Sequence, residues 1–353
     1  MKRGALFATL LALTASHVQA EKPAPAGVYI VVDSNDANIA AGNDSDAYWT
    51  DPNVVGVYLR TTWATVQPNW DGGTPKYDWS YYDTALSLCA KHSKLAILEV
   101  DVGVSYPAWL TTDAGCSLWY LNAFANKGPV SIPTPWDPIF LSYWQAFVTK
   151  FGSRYDSNPI VTAIEMTGGG RLQSCYFAAS ALDVPVIEAL DVNGVVGIQN
   201  WVNAMEAIGG YFVASFPNTL CYLGTGVNYE ADNNVSMTQT ANEIAQAGYT
   251  SWDCNALTGN LSGPYFFKTN IKIGGLLLPN YTCYQDEGPV GNPLMEGTNL
   301  TQTEAVAQSF GAAVWQPYKD DESQPDCAAT FSAFDGFSIN AQLMRLRMQP
   351  RSP

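Results

Sequence analysis

The sequence predicts an α/β fold consisting of a single (β/α)8 TIM barrel, and three observations support this prediction. Short apolar runs alternate along the chain with longer segments of helical period, the pattern of the strand–helix units that build a parallel sheet. Eight such runs are present, which is the number that closes a barrel. The chain has no internal repeat and no low-complexity linker. We therefore predict one domain over residues 21–353.

The predicted strands are short runs rich in aliphatic and β-branched residues, which favour strands. Several of them end at or beside a charged residue. The first run reaches Asp33, the second reaches Arg60 and the third reaches Asp101. In chain order the runs occupy residues 27–32, 54–59, 95–100, 160–165, 219–224, 249–254, 280–286 and 312–318.

Helices are predicted where apolar residues recur at helical spacing between two runs. Trp144 and Phe147, for example, lie on the apolar stripe of one such segment, which ends at residues 156–159. Residues 264–275 could form a strand, but too few residues follow to fit a helix before the next strand. We interpret that segment as a helical or irregular crossover. The helices are predicted at residues 83–91, 139–155, 195–213, 240–247 and 301–310.

The fourth run carries the observation on which the functional prediction depends. Its apolar residues are interrupted by Glu165 near the end, and three glycines follow at 168–170. Burying a carboxylate costs several kcal/mol unless it is paired or hydrogen-bonded, and (β/α)8 enzymes carry their active sites at the C-terminal ends of the strands. Glu165 is therefore a candidate catalytic residue. The alternative is a structural ion pair with Arg60 or Arg171.

The N-terminus has the pattern of a secretory signal peptide. Lys2 and Arg3 precede an apolar run at residues 5–15, and Ala20 ends a small-residue cleavage site. The apolar run is too short to span a bilayer. We predict a signal peptide at residues 1–20 and a secreted, extracellular protein.

Charge and histidine content exclude several classes of function. The net charge of −15 becomes −17 when Lys2 and Arg3 are removed, which excludes nucleic acid and anionic membranes as partners. Only His92 would remain of the two histidines, so Ser-His-Asp hydrolysis, Cys-His proteolysis and histidine metal sites are excluded. We predict no metal and no cofactor, and catalysis by carboxylates, tyrosines or lysines.

Seven cysteines in a secreted chain indicate disulfides. We predict a pair between Cys116 and Cys175, which follow the third and fourth predicted strands. Asn-X-Ser/Thr sequences predict a glycoprotein if the host glycosylates. They occur at Asn43, Asn234, Asn260, Asn280 and Asn299.

Several phrases of the sequence resemble clan A glycoside hydrolases, the β-galactosidase-like and cellulase-like enzymes. Residues 57–68, followed by 77–80, resemble the second-strand region of that clan. Residues 107–109 resemble its third-strand loop, and residues 136–138 and 154–159 match phrases that precede its fourth strand. The resemblance is good over residues 27–170 and loose over 249–321. It implies a (β/α)8 fold and hydrolysis of glycosidic bonds.

In that clan the acid/base glutamate ends strand four and the nucleophile ends strand seven, and the resemblance therefore implies these roles for Glu165 and Glu287. Three departures weaken it. Ile164 stands where the clan has Asn, and Gln67 stands where it has Glu. Glu287 also directly follows Asp286, and adjacent strand residues face opposite ways. The sequence leaves open which of these two faces the site, or whether Glu287 is simply a loop carboxylate.

The chemistry of glycosidic cleavage needs one protonated carboxyl and one ionised carboxylate. We expect the buried, glycine-flanked setting of Glu165 to raise its pKa as an acid requires. The clan resemblance favours retention, with carboxyls about 5–5.5 Å apart.

Substrate contacts are predicted at the strand ends, where indole faces could stack on sugar rings and polar groups could bind hydroxyls. The resemblance implies such stacking for an aromatic on strand eight. The alternative for each tryptophan is core packing. The candidates are Arg60, Trp63, Asp101, Trp109, Asp253 and Trp315.

The sequence thus predicts a secreted, monomeric glycoside hydrolase that cleaves a neutral oligo- or polysaccharide with two carboxyl groups. One alternative is a catalytically inactive TIM barrel that only binds carbohydrate, which the departures at Gln67 and Ile164 favour. The other is an extracellular structural glycoprotein, which the acidity and the glycosylation sequences favour.

Overall fold

Eight parallel strands form a closed barrel in this protein, as the sequence predicts. Each strand pairs with the next along the chain, and the first pairs with the eighth. The structure is a computed structural model. It describes residues 22, 24–71, 74–122, 128–170, 191–192, 195–196, 199–225, 252–257, 282–286, 290, 299–309 and 312–334.

The barrel strands agree closely with the predicted runs in the first half of the chain. The sixth strand begins three residues later than predicted and the eighth is shorter at both ends. From the first to the eighth, the strands are Gly27–Asp33, Val54–Thr62, Leu95–Asp101, Val161–Met166, Leu220–Thr225, Trp252–Leu257, Thr282–Asp286 and Val314–Gln316.

The helices lie between the strands, as expected for strand–helix units. The predicted helix at 195–213 begins only at Gln199, because residues 191–192 and 195–196 pair as a short antiparallel hairpin. The predicted segments at 240–247 and 264–275 lie outside the described residues. The described α-helices are Ala37–Ala40, Trp63–Val66, Ser80–His92, Trp109–Thr112, Pro138–Tyr155, Gln199–Ser215 and Leu300–Ser309, and residues 327–334 are also helical.

Three 3-10 turns and two further hairpins complete the described elements. The turns are Ala47–Trp49, Gly103–Ser105 and Lys319–Ser323. The hairpins pair Asn69–Asp71 with Thr74–Lys76, and Leu118–Leu121 with Val130–Pro133.

The helix Pro138–Tyr155 shows how the local sequence positions a helix against the barrel. The Asp137 carboxylate accepts a hydrogen bond from the backbone N–H of Ile139 at 2.7 Å, which caps the helix start. Pro138 suits the first turn because its φ is already helical. The buried stripe of the helix then packs against the outside of the barrel through Phe140, Trp144, Phe147, Val148, Phe151 and Tyr155.

Side chains of the barrel strands divide into two layers because successive residues face opposite sides of a sheet. One set packs outward against the helices and forms the larger core, which contains Ile164 and Trp315. The other set fills the barrel interior. Its apolar members are Tyr29, Val31, Tyr58, Ile97, Ala163, Tyr222 and Val314. On five of these six strands the next inward position toward the C-terminal end carries a charged or polar residue, and the fifth strand has Gly224 there. These polar positions form the site described below.

Two further predictions concern the surroundings of the barrel. None of the described helices is long and apolar enough to cross a membrane. Cys116 is a buried free thiol in this structure, so the predicted pair with Cys175 is not supported, and Cys175 itself lies outside the described residues. The Cys116 thiol instead contacts the carbonyl oxygen of Ser117 at 3.3 Å.

Candidate active site

Glu165 lies where the sequence predicts it, one residue before the end of the fourth strand, and its side chain is fully buried. It faces the barrel interior because Ala163, two residues earlier, belongs to the interior cluster. The backbone and the packing together require glycine at position 168. Gly168 has a φ of +130°, and a Cβ there would lie 2.5 Å from Nε1 of Trp144. The chain can therefore turn away sharply beyond Glu165.

Tyr58 connects Glu165 to a second buried carboxyl group, that of Glu99 on the third strand. The hydroxyl oxygen of Tyr58 lies 2.6 Å from Oε2 of Glu99 and also contacts Oε2 of Glu165. All three side chains have no measurable exposure to solvent. The two carboxyl groups are therefore bridged by a single phenol in the interior of the barrel.

Arg60 lies on the second strand in register with Glu99 on the third, and its positive charge acts to lower the pKa of Glu99. Its Nε donates to Oδ1 of Asp33 at 2.5 Å, and its guanidinium lies 5.7 Å from the ring centre of Tyr318. The side chain of Asp33 is 44% exposed whereas that of Arg60 is 10% exposed. Arg60 thus supports a carboxylate at the strand ends, beside the predicted site residue Asp101.

Burial dominates the electrostatics of these acids. It raises the pKa of Glu99 well above its usual range, and the neighbouring Glu165 and Asp101 carboxyls raise it further. Burial also raises the pKa of Asp101 to about 6, against the lowering effects of Arg60 and of a hydrogen bond with Glu99. Burial alone would lower the pKa of Arg60, but Tyr318, Asp33, Glu99 and Asp101 hold it well above its ordinary value.

Stability should depend on pH through Asp101. Its pKa of about 6 in the folded protein exceeds the value of about 3.9 in an unfolded chain, so its contribution is fully present below pH 4 and is lost as the pH rises through 6. As the pH rises from 4 to 7, the wild type should therefore lose stability relative to Asp101→Asn. The difference between their unfolding free energies should grow by roughly 1–3 kcal/mol over this range. Urea denaturation of both proteins at several pH values measures this difference. A difference that is constant with pH would contradict the prediction.

The end of the seventh strand shows which way Asp286 points. Its side chain is fully buried, and its Oδ1 accepts a hydrogen bond of 2.7 Å from Nε1 of Trp315. Trp315 packs against Phe331 and Phe334 in the outer layer, between the barrel and the helices. Asp286 therefore faces outward. Glu287 lies outside the described residues, so its distance from Glu165 stays a prediction.

Comparison with known proteins supports the architecture. No protein-family model and no curated protein matches the sequence, but solved structures match the fold. The catalytic domain of a β-amylase from Paenibacillus polymyxa matches with a TM-score of 0.59 at 10% identity, covering 90% of this chain and 99% of that one. The chain has a (β/α)8 barrel fold similar to that of this β-amylase domain.

Two further structures support the same fold. Xylanase 10B from Thermotoga maritima matches the chain with a TM-score of 0.52 at 10% identity, covering 90% of this chain and 97% of that one. A β-galactosidase from Rahnella sp. R3 has a TM-score of 0.59 at 10% identity; the match covers 91% of this chain and 58% of that enzyme. The resemblance to clan A glycoside hydrolases is therefore confirmed at the level of the fold.

The predicted stacking roles of three tryptophans in this barrel are wrong. Trp63 and Trp315 have no exposed surface, and Trp109 is only 5% exposed. Trp63 packs edge-on against Trp109 and Trp144, and its Nε1 donates to Oε1 of Gln67 at 2.8 Å. Trp109 donates to the carbonyl oxygen of Gln67 at 2.9 Å. Their faces are occupied by other rings, so the packing interpretation is correct for all three.

Trp63→Ala should destabilise the protein without changing any ligand affinity directly. The ring fills the centre of an aromatic cluster, and removing a fully buried aromatic side chain costs about 3–5 kcal/mol. Chemical denaturation of the wild type and the variant measures this loss. A change below about 1 kcal/mol would show that Trp63 is not a central core residue.

The structure also describes two other positions considered in the sequence, Asp253 and Gln67. Asp253 is the second residue of the sixth strand, rather than near its end, because the strand starts late; it pairs in register with Gly224. Gln67, which replaces the clan's glutamate, accepts from Trp63 in the outer layer instead of facing the interior. A charged Glu at that buried position would carry a desolvation cost that the neutral amide avoids.

Sequence reasoning missed Tyr58 and Glu99, although a signal was present. Tyr58 lies two residues before the predicted site residue Arg60, and Glu99 lies two residues before Asp101. Side chains two residues apart share one face of a strand. Polar residues with period two inside an apolar run thus mark the barrel interior. Among the described residues, no group of three or more His, Cys, Asp or Glu side chains is arranged to hold a metal ion.

Proposed function

We propose that this protein is a secreted glycoside hydrolase that cleaves a neutral oligo- or polysaccharide with two carboxyl groups. Glu165 is the acid/base and Glu287 is the nucleophile. The fold supports the reaction class, since similar barrels belong to a β-amylase, a xylanase and β-galactosidases. The net charge of −15 and the leader-like N-terminus support a secreted protein with an uncharged substrate.

The observation that carries the proposal is the hydrogen bond between Asp286 and Trp315. It turns Asp286 to the outer layer. Because adjacent residues of a strand face opposite ways, we expect position 287 to face the interior, on the side where Glu165 lies. The proposal therefore takes Glu287, rather than Asp286, as the nucleophile.

The reaction that these roles perform is a double displacement. Glu165 donates its proton to the glycosidic oxygen while the Glu287 carboxylate bonds to the anomeric carbon and the leaving sugar departs. Glu165, now ionised, takes a proton from water, whose oxygen attacks the anomeric carbon and releases Glu287. Each residue ends in its starting protonation state, and the anomeric configuration is retained.

A second candidate, a barrel that binds carbohydrate without cleaving it, is favoured by one observation. Ile164, which stands where the clan has Asn, packs in the outer layer and brings no amide to Glu165. Such a protein would bind oligosaccharides but show no turnover.

The experiment that separates these candidates combines turnover and binding. Purified protein is incubated with a panel of neutral aryl glycosides and oligosaccharides, product is quantified, and binding is titrated in parallel. The proposal predicts cleavage whose first product, by NMR, has the substrate's anomeric configuration. Binding without cleavage would favour the second candidate, and neither binding nor cleavage would favour a structural glycoprotein.

A further inference from the structure

The contacts of Tyr58 impose a condition on the protons of the buried cluster. Its hydroxyl oxygen contacts one carboxyl oxygen of Glu99 and one of Glu165, yet the hydroxyl carries a single proton. It can donate only one of these two hydrogen bonds. In the other it must accept, so at least one of the two carboxyl groups is protonated.

Two neighbouring atoms decide the direction of these hydrogen bonds. Oε1 of Glu99 and Oδ1 of Asp101 are buried and have no hydrogen-bond partner among the described residues when both groups are ionised. The two side chains lie on the same face of the third strand, and a hydrogen bond between them lowers the pKa of Asp101. A proton on Oε1 of Glu99 satisfies both atoms at once, because Glu99 then donates to Asp101.

The position of this proton determines the direction of the remaining hydrogen bonds. If Glu99 donates from Oε1, its Oε2 is an acceptor and receives the hydroxyl proton of Tyr58. Tyr58 must then accept from Glu165, which is therefore protonated. In the reverse direction Tyr58 would donate to an ionised Glu165 and accept from Oε2 of Glu99, and the buried Oε1 of Glu99 and Oδ1 of Asp101 would both be left as acceptors without a donor.

We propose that Glu99 and Tyr58 are positioning residues that hold Glu165 in its protonated form through a directed chain of hydrogen bonds from Glu165 to Tyr58, Glu99 and Asp101. The inference deepens the proposed function and rests on it, since it assigns the origin of the acid's proton. Asp101 is the ionised end of the chain, and Arg60 is the cation that balances it.

The charged and titratable groups around the chain agree with this arrangement. The interior holds three carboxyls from the third and fourth strands but receives one described cation, Arg60, whose Nε is already bonded to Asp33. Keeping two of these three carboxyls neutral, with the third beside Arg60, reduces the buried charge that the described residues have to balance. The other titratable groups around the cluster are Tyr29 from the first strand and Tyr222 from the fifth, both in the interior, and Tyr318 after the eighth. Tyr82 reaches only the backbone of Glu99, from the outer layer.

The same hydrogen bonds can rearrange to stabilise Glu165 after proton transfer. When Glu165 has given its proton to the leaving oxygen, the Tyr58 hydroxyl can turn from Glu99 to donate to the new carboxylate. No proton leaves Tyr58 or Glu99 in this step, so the balance of the reaction is unchanged. When water returns a proton to Glu165, the hydroxyl turns back.

Infrared spectroscopy tests the proposal without depending on turnover. At neutral pH, Glu99→Gln and Glu165→Gln should each remove one protonated-carboxyl C=O band from the wild-type spectrum, because both glutamates are neutral. Selective 13C labelling of glutamate carboxyls identifies the bands. If Glu165→Gln removes a carboxylate band instead, the chain runs in the opposite direction and the proposal is overturned, whether or not the protein cleaves glycans.

The pH dependence of kcat/KM supplies a second readout that a packing role would not move. Glu99→Gln preserves the direction of the chain, since its amide can donate to Asp101 and accept from Tyr58; the alkaline limb should stay in place. Glu99→Met removes the acceptor of the Tyr58 proton, which then stabilises ionised Glu165. The alkaline limb of the profile should then shift to lower pH by at least about one unit. At pH values above the limb, kcat/KM should be about tenfold lower than in the wild type.

Tyr82→Phe is the matched control, because its hydroxyl contacts the backbone carbonyl of Glu99 and not its carboxyl group. It should leave the alkaline limb unchanged. If Glu99→Gln moves the limb as far as Glu99→Met does, the charge of Glu99 acts rather than its proton, and the proposal is wrong. Should Glu99→Met fail to fold, Glu99→Gln and the infrared spectra decide the question alone.

Discussion

Glu165→Gln is expected to reduce kcat/KM by about 10²–10⁴-fold for glycosides with poor leaving groups, the usual contribution of a general acid. The amide keeps the shape of the side chain but has no proton to give to the leaving oxygen. Activated aryl glycosides leave without protonation, so the same variant should lose much less kcat/KM on them. Initial rates on a series of glycosides with different leaving-group pKa values measure this dependence.

A buried glutamate outside the Tyr58 cluster provides the control. Glu304 lies on the helix Leu300–Ser309, where its side chain contacts Gln308 of the same helix. Glu304→Gln should therefore leave the leaving-group dependence as it is in the wild type. An equal loss for good and poor leaving groups in Glu165→Gln would mean that Glu165 acts in some way other than as a proton donor.

Glu287→Gln has the largest expected effect, a loss of turnover of at least about 10³-fold on every substrate, because no covalent intermediate can form without the carboxylate. Its stability should remain nearly unchanged. The paired variant Asp286→Asn should show the opposite pattern. It weakens the charge-assisted bond from Trp315, which costs about 1.5–3 kcal/mol of stability, while turnover remains measurable.

Kinetics and chemical denaturation of the two variants together assign the nucleophile. If Asp286→Asn abolishes turnover and Glu287→Gln does not, Asp286 is the nucleophile and must turn inward in the working enzyme. That outcome would remove the hydrogen bond with Trp315 as evidence, although the two-carboxylate mechanism would survive.

The barrel could be predicted from sequence because alternating strand and helix periods are properties of local segments. Glu165 could be predicted for a related reason, since a carboxylate that interrupts an apolar run just before three glycines marks the end of a strand. The orientation of a side chain at a strand end is different. Trp63 opens a helical turn, Trp63–Val66, directly after the second strand, and this turn directs its ring into the outer layer.

Trp315 illustrates the same limit of sequence patterns. Val314 and Gln316 lie on either side of it on a three-residue strand, and Val314 belongs to the interior cluster, which leaves Trp315 on the outer face. A shift of one residue in register would reverse these positions. Register depends on pairing with distant strands, so a single sequence pattern does not determine it.

The separation between the carboxyl groups of Glu165 and Glu287 in a crystal structure is the most direct test of the proposed catalytic pair. The proposal predicts that both side chains face the barrel axis with their carboxyls about 5–5.5 Å apart, the spacing of retaining glycosidases. A separation of more than about 10 Å, beyond the range for either stereochemical outcome, would contradict the pairing.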